Sequence, residues 1–189
     1  SPERMSEYGA YGERASAALE HEHGFLREMH MEEVDNPNRR LVYQVWEDKK
    51  CRQQFARSPR WVRVPSQVLV GPAATGFYHL IAGVQLREPE PGVCVLDREL
   101  RVGNGHQDEY ETIERGLCAL AKDQPGFVSR RILKFLGNDT SYLRVSVWMS
   151  WGAVEHWRTT VEYQCENAAL ADAVVWTEAR RYRVRSVLP

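Results

Sequence analysis

The feature that most constrains this chain is an internal repeat that needs no gap. Shifted by 102 residues, the distance from Trp46 to Trp148, the sequence lays Val45-Trp46 on Val147-Trp148, Gly24-Phe25 on Gly126-Phe127 and Glu7-Tyr8 on Glu109-Tyr110. Residues 7–57 and 109–159 share nine identities in 51 positions, and these fall where a helix starts, a turn needs glycine and a strand ends. A fixed period of this kind means two copies of one supersecondary unit.

The second copy spells that unit out. Val93 to Val102 alternates as a strand, and Gly103-Asn104-Gly105 then turns the chain. Tyr110, Ile113, Leu117, Leu120 and Ala121 recur at helical spacing, which leaves Glu111, Glu114, Arg115 and Lys122 for the solvent side. Gln124-Pro125-Gly126 stops that helix. Phe127 to Phe135 and Tyr142 to Trp148 form a hairpin about Gly137-Asn138-Asp139, and Ser150 caps a helix carrying Trp151, Val154 and Trp157. A short helix near Ala168 to Val175 and a strand from Ala179 to Val187 complete it.

The order β-α-β-β-α-β is the ferredoxin-like split βαβ motif, with helices on one face of four antiparallel strands. Its other face stays apolar, and two sheets packed face to face bury it. The expected class is therefore α+β: two ferredoxin-like modules, residues 1–87 and 88–189, packed sheet to sheet as an intramolecular dimeric α/β barrel. In the first copy, a helix from Ser6 to Glu20, strands from Phe25 to Glu33 and Arg39 to Trp46, a helix from Asp48 to Ala56 and a last strand from Gly76 to Leu86 match the pattern. By the same offset its first strand falls before Ser1, so that strand is expected to be absent from this sequence or supplied by another segment.

With 43% hydrophobic and 27% charged residues the chain can bury a core, and its net charge of -1 favours neither nucleic acid nor an anionic membrane as partner. Apolar runs such as Val68 to Val70 and Phe77 to Val84 are too short to span a bilayer, and the N-terminus lacks the features of a secretion signal, so a cytoplasmic protein is expected. Cys51, Cys94, Cys118 and Cys165 form no C-x-x-C pair and read as free, mostly buried thiols. His21 and His23 offer two donors without a third at a recognisable spacing, so no metal is expected. Nor is a glycine-rich phosphate loop present.

The run LRVGNGHQDEYETIERGLCALAKDQPGFVSRRIL followed by YLRVSVW resembles the antibiotic-biosynthesis-monooxygenase family of the dimeric α/β barrel superfamily. The resemblance covers nearly all of copy two and, more faintly, copy one. It implies a cofactor-independent monooxygenase or related tailoring enzyme of bacterial secondary metabolism, acting with dioxygen on an aromatic, polyketide-like small molecule. The other reading is a non-catalytic barrel that binds a small molecule or serves in assembly. In the family's cofactor-free oxygenases the third strand carries an Asn four residues before its terminal Trp. Trp46 and Trp148 match the Trp, whereas Val42 and Arg144 replace the Asn. Of the haem-degrading branch's site, Trp157 matches while Arg98 and Asn167 stand at the Asn and His positions, so no haem and no other cofactor is expected.

Oxygenation without a cofactor needs an apolar pocket, a group to remove a proton from a phenol or enol, and donors that stabilise the anion. His30 and His79 are the preferred acid/base candidates, because copy two has Ile132 and Arg183 there and the fold does not demand histidine. Arg144 and Trp148 join them as catalytic candidates. Gln44, Trp46, Arg98, Ser146 and Trp157 are expected to bind substrate, since Gln44 shares a strand face with Trp46, and Ser146 and Arg144 share one with Trp148. A fused pair is free to keep one pocket and lose the other. The expected assembly is a monomeric pseudo-dimer or a homodimer.

Overall fold

The computed structural model describes residues 2–61 and 75–188, with the side chains of the first helix from Gly9 onward; the run Val68 to Val70 and the side chains of Glu7 and Tyr8 lie outside the described residues. The elements are α1 (Pro2–Leu19), β1 (Phe25–Glu33), β2 (Arg40–Trp46), α2 (Lys49–Arg57), β3 (Tyr78–Gln85), β4 (Cys94–Val102), α3 (Gln107–Ala121), β5 (Phe127–Phe135), β6 (Ser141–Trp148), α4 (Trp151–Thr159), α5 (Val161–Leu170) and β7 (Val174–Leu188). The protein is α+β, and its strands pair antiparallel where their registers are defined. No helix among the described residues is long and apolar enough to cross a membrane.

Two compact units divide the chain. The first comprises Ser1–His30, Val42–Thr75 and Ser186–Pro189, and the second Met31–Leu41 and Gly76–Arg185. In the second unit the strands run in the order β7-β4-β6-β5, as a ferredoxin-like module requires. The strand β3, which the sequence places at the end of copy one, adds to the outer side of β5 from Tyr78↔Phe135 to Gln85↔Ser129. Its Ile81, Ala82 and Val84 pack against the core of copy two, which accounts for its place there. Beyond β7, Val34 N donates to Arg181 O at 2.8 Å, and Arg185 Nη2 meets Glu32 Oε1 at 2.8 Å.

Two sequence expectations need revision. The short helix expected near Ala168 to Val175 begins earlier, at Val161, because Thr160 Oγ1 accepts from Tyr163 N and starts a new helix directly after α4. By Val174 the chain is already strand, since β7 continues its pairing with β4 as far as Val174↔Val102. Along α3 the buried stripe is Tyr110, Glu114, Leu117, Cys118 and Ala121, while Leu120 is exposed. Glu114, expected on the solvent side, is fully buried for an electrostatic reason given below.

Within each unit the same local devices recur at the 102-residue offset. Gly24 and Gly126 turn the chain with φ of 74° and 77°, and their carbonyls accept from Glu47 N at 2.7 Å and Met149 N at 2.8 Å. Asp48 caps α2 through Cys51 N, and Ser150 caps α4 through Ala153 N. An aromatic chain runs Phe25, Trp46, Phe55, Trp61 in the first unit, with centroids 5.4, 5.5 and 5.4 Å apart. Phe127, Trp148, Trp157 and Tyr163 repeat it in the second, at 5.3, 6.1 and 5.8 Å. Each contact of this kind adds about 0.5–1.5 kcal/mol beyond the area it buries, so both copies carry the same aromatic spine.

Leu96, Leu100 and Val102 of β4 pack toward the helices, so alternation sends Val95 and Asp97 to the opposite face. Asp97 is buried and its Oδ1 has no hydrogen-bond partner. Burial first, then Glu99, with smaller contributions from Glu178 and Glu33, push its carboxyl up to about 7 against the pull of Arg180. Because the folded value lies above the unfolded value near 3.8, ionisation disfavours the folded state. The contribution of Asp97 to stability should fall as pH rises from about 4 to about 7 and stay low above that. Asp97→Asn is expected to abolish this slope and to be about 2–4 kcal/mol more stable than the parent at pH 8, as urea unfolding at several pH values will show. Identical slopes in the two proteins would contradict it.

Candidate functional site

In the second unit, the space between sheet and helices where copy two's pocket was expected is taken up by a four-residue ion network. Arg130 donates from Nη1 to Glu166 Oε2 at 3.0 Å and from Nη2 to Glu166 Oε1 at 3.0 Å and Glu114 Oε2 at 2.6 Å. Arg144 Nη1 donates to Glu114 Oε1 at 3.1 Å and also to Glu166. All four side chains are buried. Burial works against charge on Glu166, yet Arg144 and Arg130 outweigh it and hold the carboxyl below its usual range. This is why Glu114 turns inward.

The remaining copy-two candidates surround that network. Arg98 Nη2 donates to Tyr163 Oη at 3.4 Å, and Ser146 Oγ to Leu96 O at 3.4 Å. Trp148, 1% exposed, is enclosed by Phe127 and Trp157, and its Nε1 is buried without a hydrogen-bond partner. Arg144 and Ser146 are thus satisfied within the protein. Tyr163, at the outer end of the aromatic chain, is held below its usual range: burial raises it, and hydrogen bonds from Asn167 and Arg98 more than offset that.

The first unit assembles a different set of groups. On β1, Glu28 and His30 share a face two residues apart, and Glu28 Oε1 lies 2.5 Å from His30 Nε2. Ser16 Oγ of α1 donates to the same Oε1 at 2.9 Å and stands 3.3 Å from His30 Nε2. From β2, Gln44 Nε2 donates to Glu28 Oε2 at 2.5 Å, and Trp46 Nε1 donates to Gln44 Oε1 at 3.3 Å. Burial favours the neutral form of Glu28, but His30, Gln44 and Ser16 together hold it below the ordinary carboxylate value. A buried carboxylate therefore orients an imidazole whose side chain is 20% exposed. His30 Nδ1 makes no hydrogen bond among the described residues.

The offset explains the contrast. Gly12, Ser16, Glu28, His30, Val42 and Gln44 correspond to Glu114, Cys118, Arg130, Ile132, Arg144 and Ser146. Where Glu114 fills copy two with a carboxylate, Gly12 has no side chain, and a Cβ there would stand 3.7 Å from His30 Cε1. The edge of the imidazole that carries Nδ1 thus faces a helix position that has no side chain. β2 is half-buried along most of its length, whereas β6 is buried from Tyr142 to Trp148.

Of the residues singled out in the sequence, His30, Gln44 and Trp46 converge in one network. Arg98, Arg144, Ser146, Trp148 and Trp157 lie around the buried charges of the second unit. His79 is an exposed residue of β3 opposite Lys134, in a different unit from His30. Glu28, Ser16 and Gly12 were not among the candidates. Two signals pointed to them: Glu28 lies two residues before His30 on a strand, and Gly12 pairs with a glutamate in the other copy.

The β-α-β-β-α-β order with its helices on one face of the sheet makes this a ferredoxin-like α+β protein. Residues 94–165, from β4 into α5, match the family model described as antibiotic biosynthesis monooxygenase. No curated protein sequence matches the chain. Among solved structures, it is similar to a candidate monooxygenase from Fusobacterium nucleatum, with a TM-score of 0.80 and 9% identity over 97% of this chain and 87% of that one. It is likewise similar to an anthrone oxidase-like protein, with a TM-score of 0.75 and 14% identity over 99% of this chain and 87% of that one. A candidate monooxygenase from Lactobacillus acidophilus has a TM-score of 0.77 at 11% identity, over 97% of this chain and 88% of that one. At these identities the likeness establishes the fold.

Proposed function

We propose that the protein is a cofactor-independent monooxygenase of the antibiotic-biosynthesis type, acting on an aromatic, polyketide-like substrate at the Glu28-His30 site of its first copy. The observation that carries this reading is the Glu28-His30 pair, a buried carboxylate bonded to a partly exposed imidazole beside Gly12. The unbonded ring nitrogen can accept a proton, and the carboxylate stabilises the imidazolium that forms. His30 Nδ1 takes the proton from an acidic C–H or phenolic O–H of a polycyclic phenol, leaving a delocalised anion. That anion gives one electron to dioxygen, and the two radicals combine as a hydroperoxide anion at the ring carbon. Reprotonation by His30 and loss of water convert a ring CH2 into a carbonyl, so one oxygen atom enters the product and the other leaves as water. Trp46 supplies a flat wall for the ring system. The solved anthrone oxidase-like structure gives the substrate class its first test compound.

Oxygen-electrode measurements with an anthrone in chelator-treated buffer are expected to show one O2 consumed per quinone formed, with no added cofactor. Binding of the anthrone without oxygen uptake would favour the non-catalytic alternative, and no binding at all would remove the substrate class.

A further inference from the structure

At the end of α1 the chain turns through His21 to Gly24 before entering β1. Three residues from different elements meet at this turn: His23 in the loop, Glu47 directly after β2, and Cys51 in the first turn of α2. One donor atom from each lies within 4.8 Å of the other two. Backbone contacts hold the arrangement. Glu47 N donates to Gly24 O at 2.7 Å, and Asp48 Oδ1 accepts from Cys51 N at 2.7 Å, which fixes the position of the thiol at the helix start.

Gly24 is a further requirement. Its φ of 74° lies in the left-handed region, and a Cβ would come within 2.5 Å of Cys51 Sγ, so only glycine lets the loop close over the sulfur. Copy two keeps the turn, with Gly126 against Ala153 Cβ, but puts Pro125, Met149 and Ala153 where His23, Glu47 and Cys51 stand. The fold does not ask for these three donors; copy one has added them to a turn that closes equally well without them. His23 and Glu47 are exposed, so an ion reaches the site from solvent while Cys51 offers its sulfur from within.

We propose that His23, Glu47 and Cys51 bind one zinc ion. Imidazole nitrogen, carboxylate oxygen and thiolate sulfur form a mixed donor set that zinc accepts at about 2.0–2.3 Å, and a water completes the tetrahedron. The ion joins the α1–β1 loop to the start of α2 and carries no redox chemistry, so it is independent of the oxygenase reading. In sequence the His-x-His pair lacks a third ligand; the fold instead joins His23 alone to residues 24 and 28 positions further on.

The test uses the tag-free protein with zinc and cobalt as probes. Competition against a chromogenic chelator is expected to give one zinc per chain, and cobalt to give a thiolate charge-transfer band that Cys51→Ser abolishes. His23→Ala and Glu47→Gln change exposed side chains, leave the fold intact and should each weaken zinc binding at least tenfold. The thermal midpoint should rise with zinc in the parent and not in His23→Ala. Absence of stoichiometric binding, or equal affinity in parent, His23→Ala and Glu47→Gln, would overturn the proposal, as would a cobalt band that persists in folded Cys51→Ser.

Discussion

Replacing Glu114 with alanine is expected to cost about 3–5 kcal/mol of folding free energy. The expectation follows from charge balance inside the second unit, where Arg130 and Arg144 face Glu114 and Glu166 with all four side chains buried. With Glu114 gone, two guanidinium groups share one carboxylate and a positive charge is left without compensation away from water. Urea unfolding should show the loss, and the thermal midpoint should fall by roughly 10 °C for a protein of this size. Restoring balance tests the cause. The double variant Glu114→Leu with Arg130→Met removes one charge of each sign and should recover most of the loss, because a buried ion pair contributes little over a well-packed apolar replacement. Any oxygenase activity per folded molecule should stay near the parent value. A loss below 1 kcal/mol for Glu114→Ala would mean that the network is not formed.

His30→Ala should lower kcat for oxygen consumption at least 100-fold while changing KM by less than threefold, since general-base removal typically costs a factor of 10²–10⁴. His30 is partly exposed and lies beside Gly12, so truncation there disturbs little packing. Glu28→Gln tests the second member of the pair. Its amide nearly fits the space but carries no charge to stabilise an imidazolium, and a tenfold or greater fall in kcat is expected. The same variant leaves Ser16 and Gln44 with a neutral partner in a buried place, so its stability must be measured alongside. Wild-type rates for His30→Ala would assign the proton to another group.

Much of the architecture was legible because repeat, turn and alternation act locally. Gly24 and Gly126 need positive φ, the caps Asp48 and Ser150 need a side-chain acceptor, and the strands from Phe25 and Phe127 begin where the turns release them. The extent of α5 was not legible, since nothing in its mixed composition marks Thr160 as the start of a helix. The partner of β3 was equally hidden: a strand's own pattern says which face is apolar, not which neighbour it joins.

For the site, the strand face carrying His30 was readable, and so was its companion Glu28 by the same alternation. What periodicity cannot show is that a charged residue belongs inside. Glu114 reads as a solvent-side residue of α3 until Arg130 and Arg144 are known to converge on it from β5 and β6. Comparison of the copies contains that information in compressed form, because Gly12 and Glu114, Glu28 and Arg130, and Val42 and Arg144 change together. One copy has exchanged an open imidazole for a closed set of ion pairs.

The most direct test of the central claim, that the Glu28-His30 site of the first copy takes the ligand, is a crystal structure with a hydroxyanthraquinone, a planar product analogue, bound. The ring system is expected against Trp46, with a phenolic oxygen within hydrogen-bond distance of His30 and the four buried charges of the second unit undisturbed. A ligand lodged beside Trp148, with Arg144 released from Glu114 and Glu166 to meet it, would contradict the account.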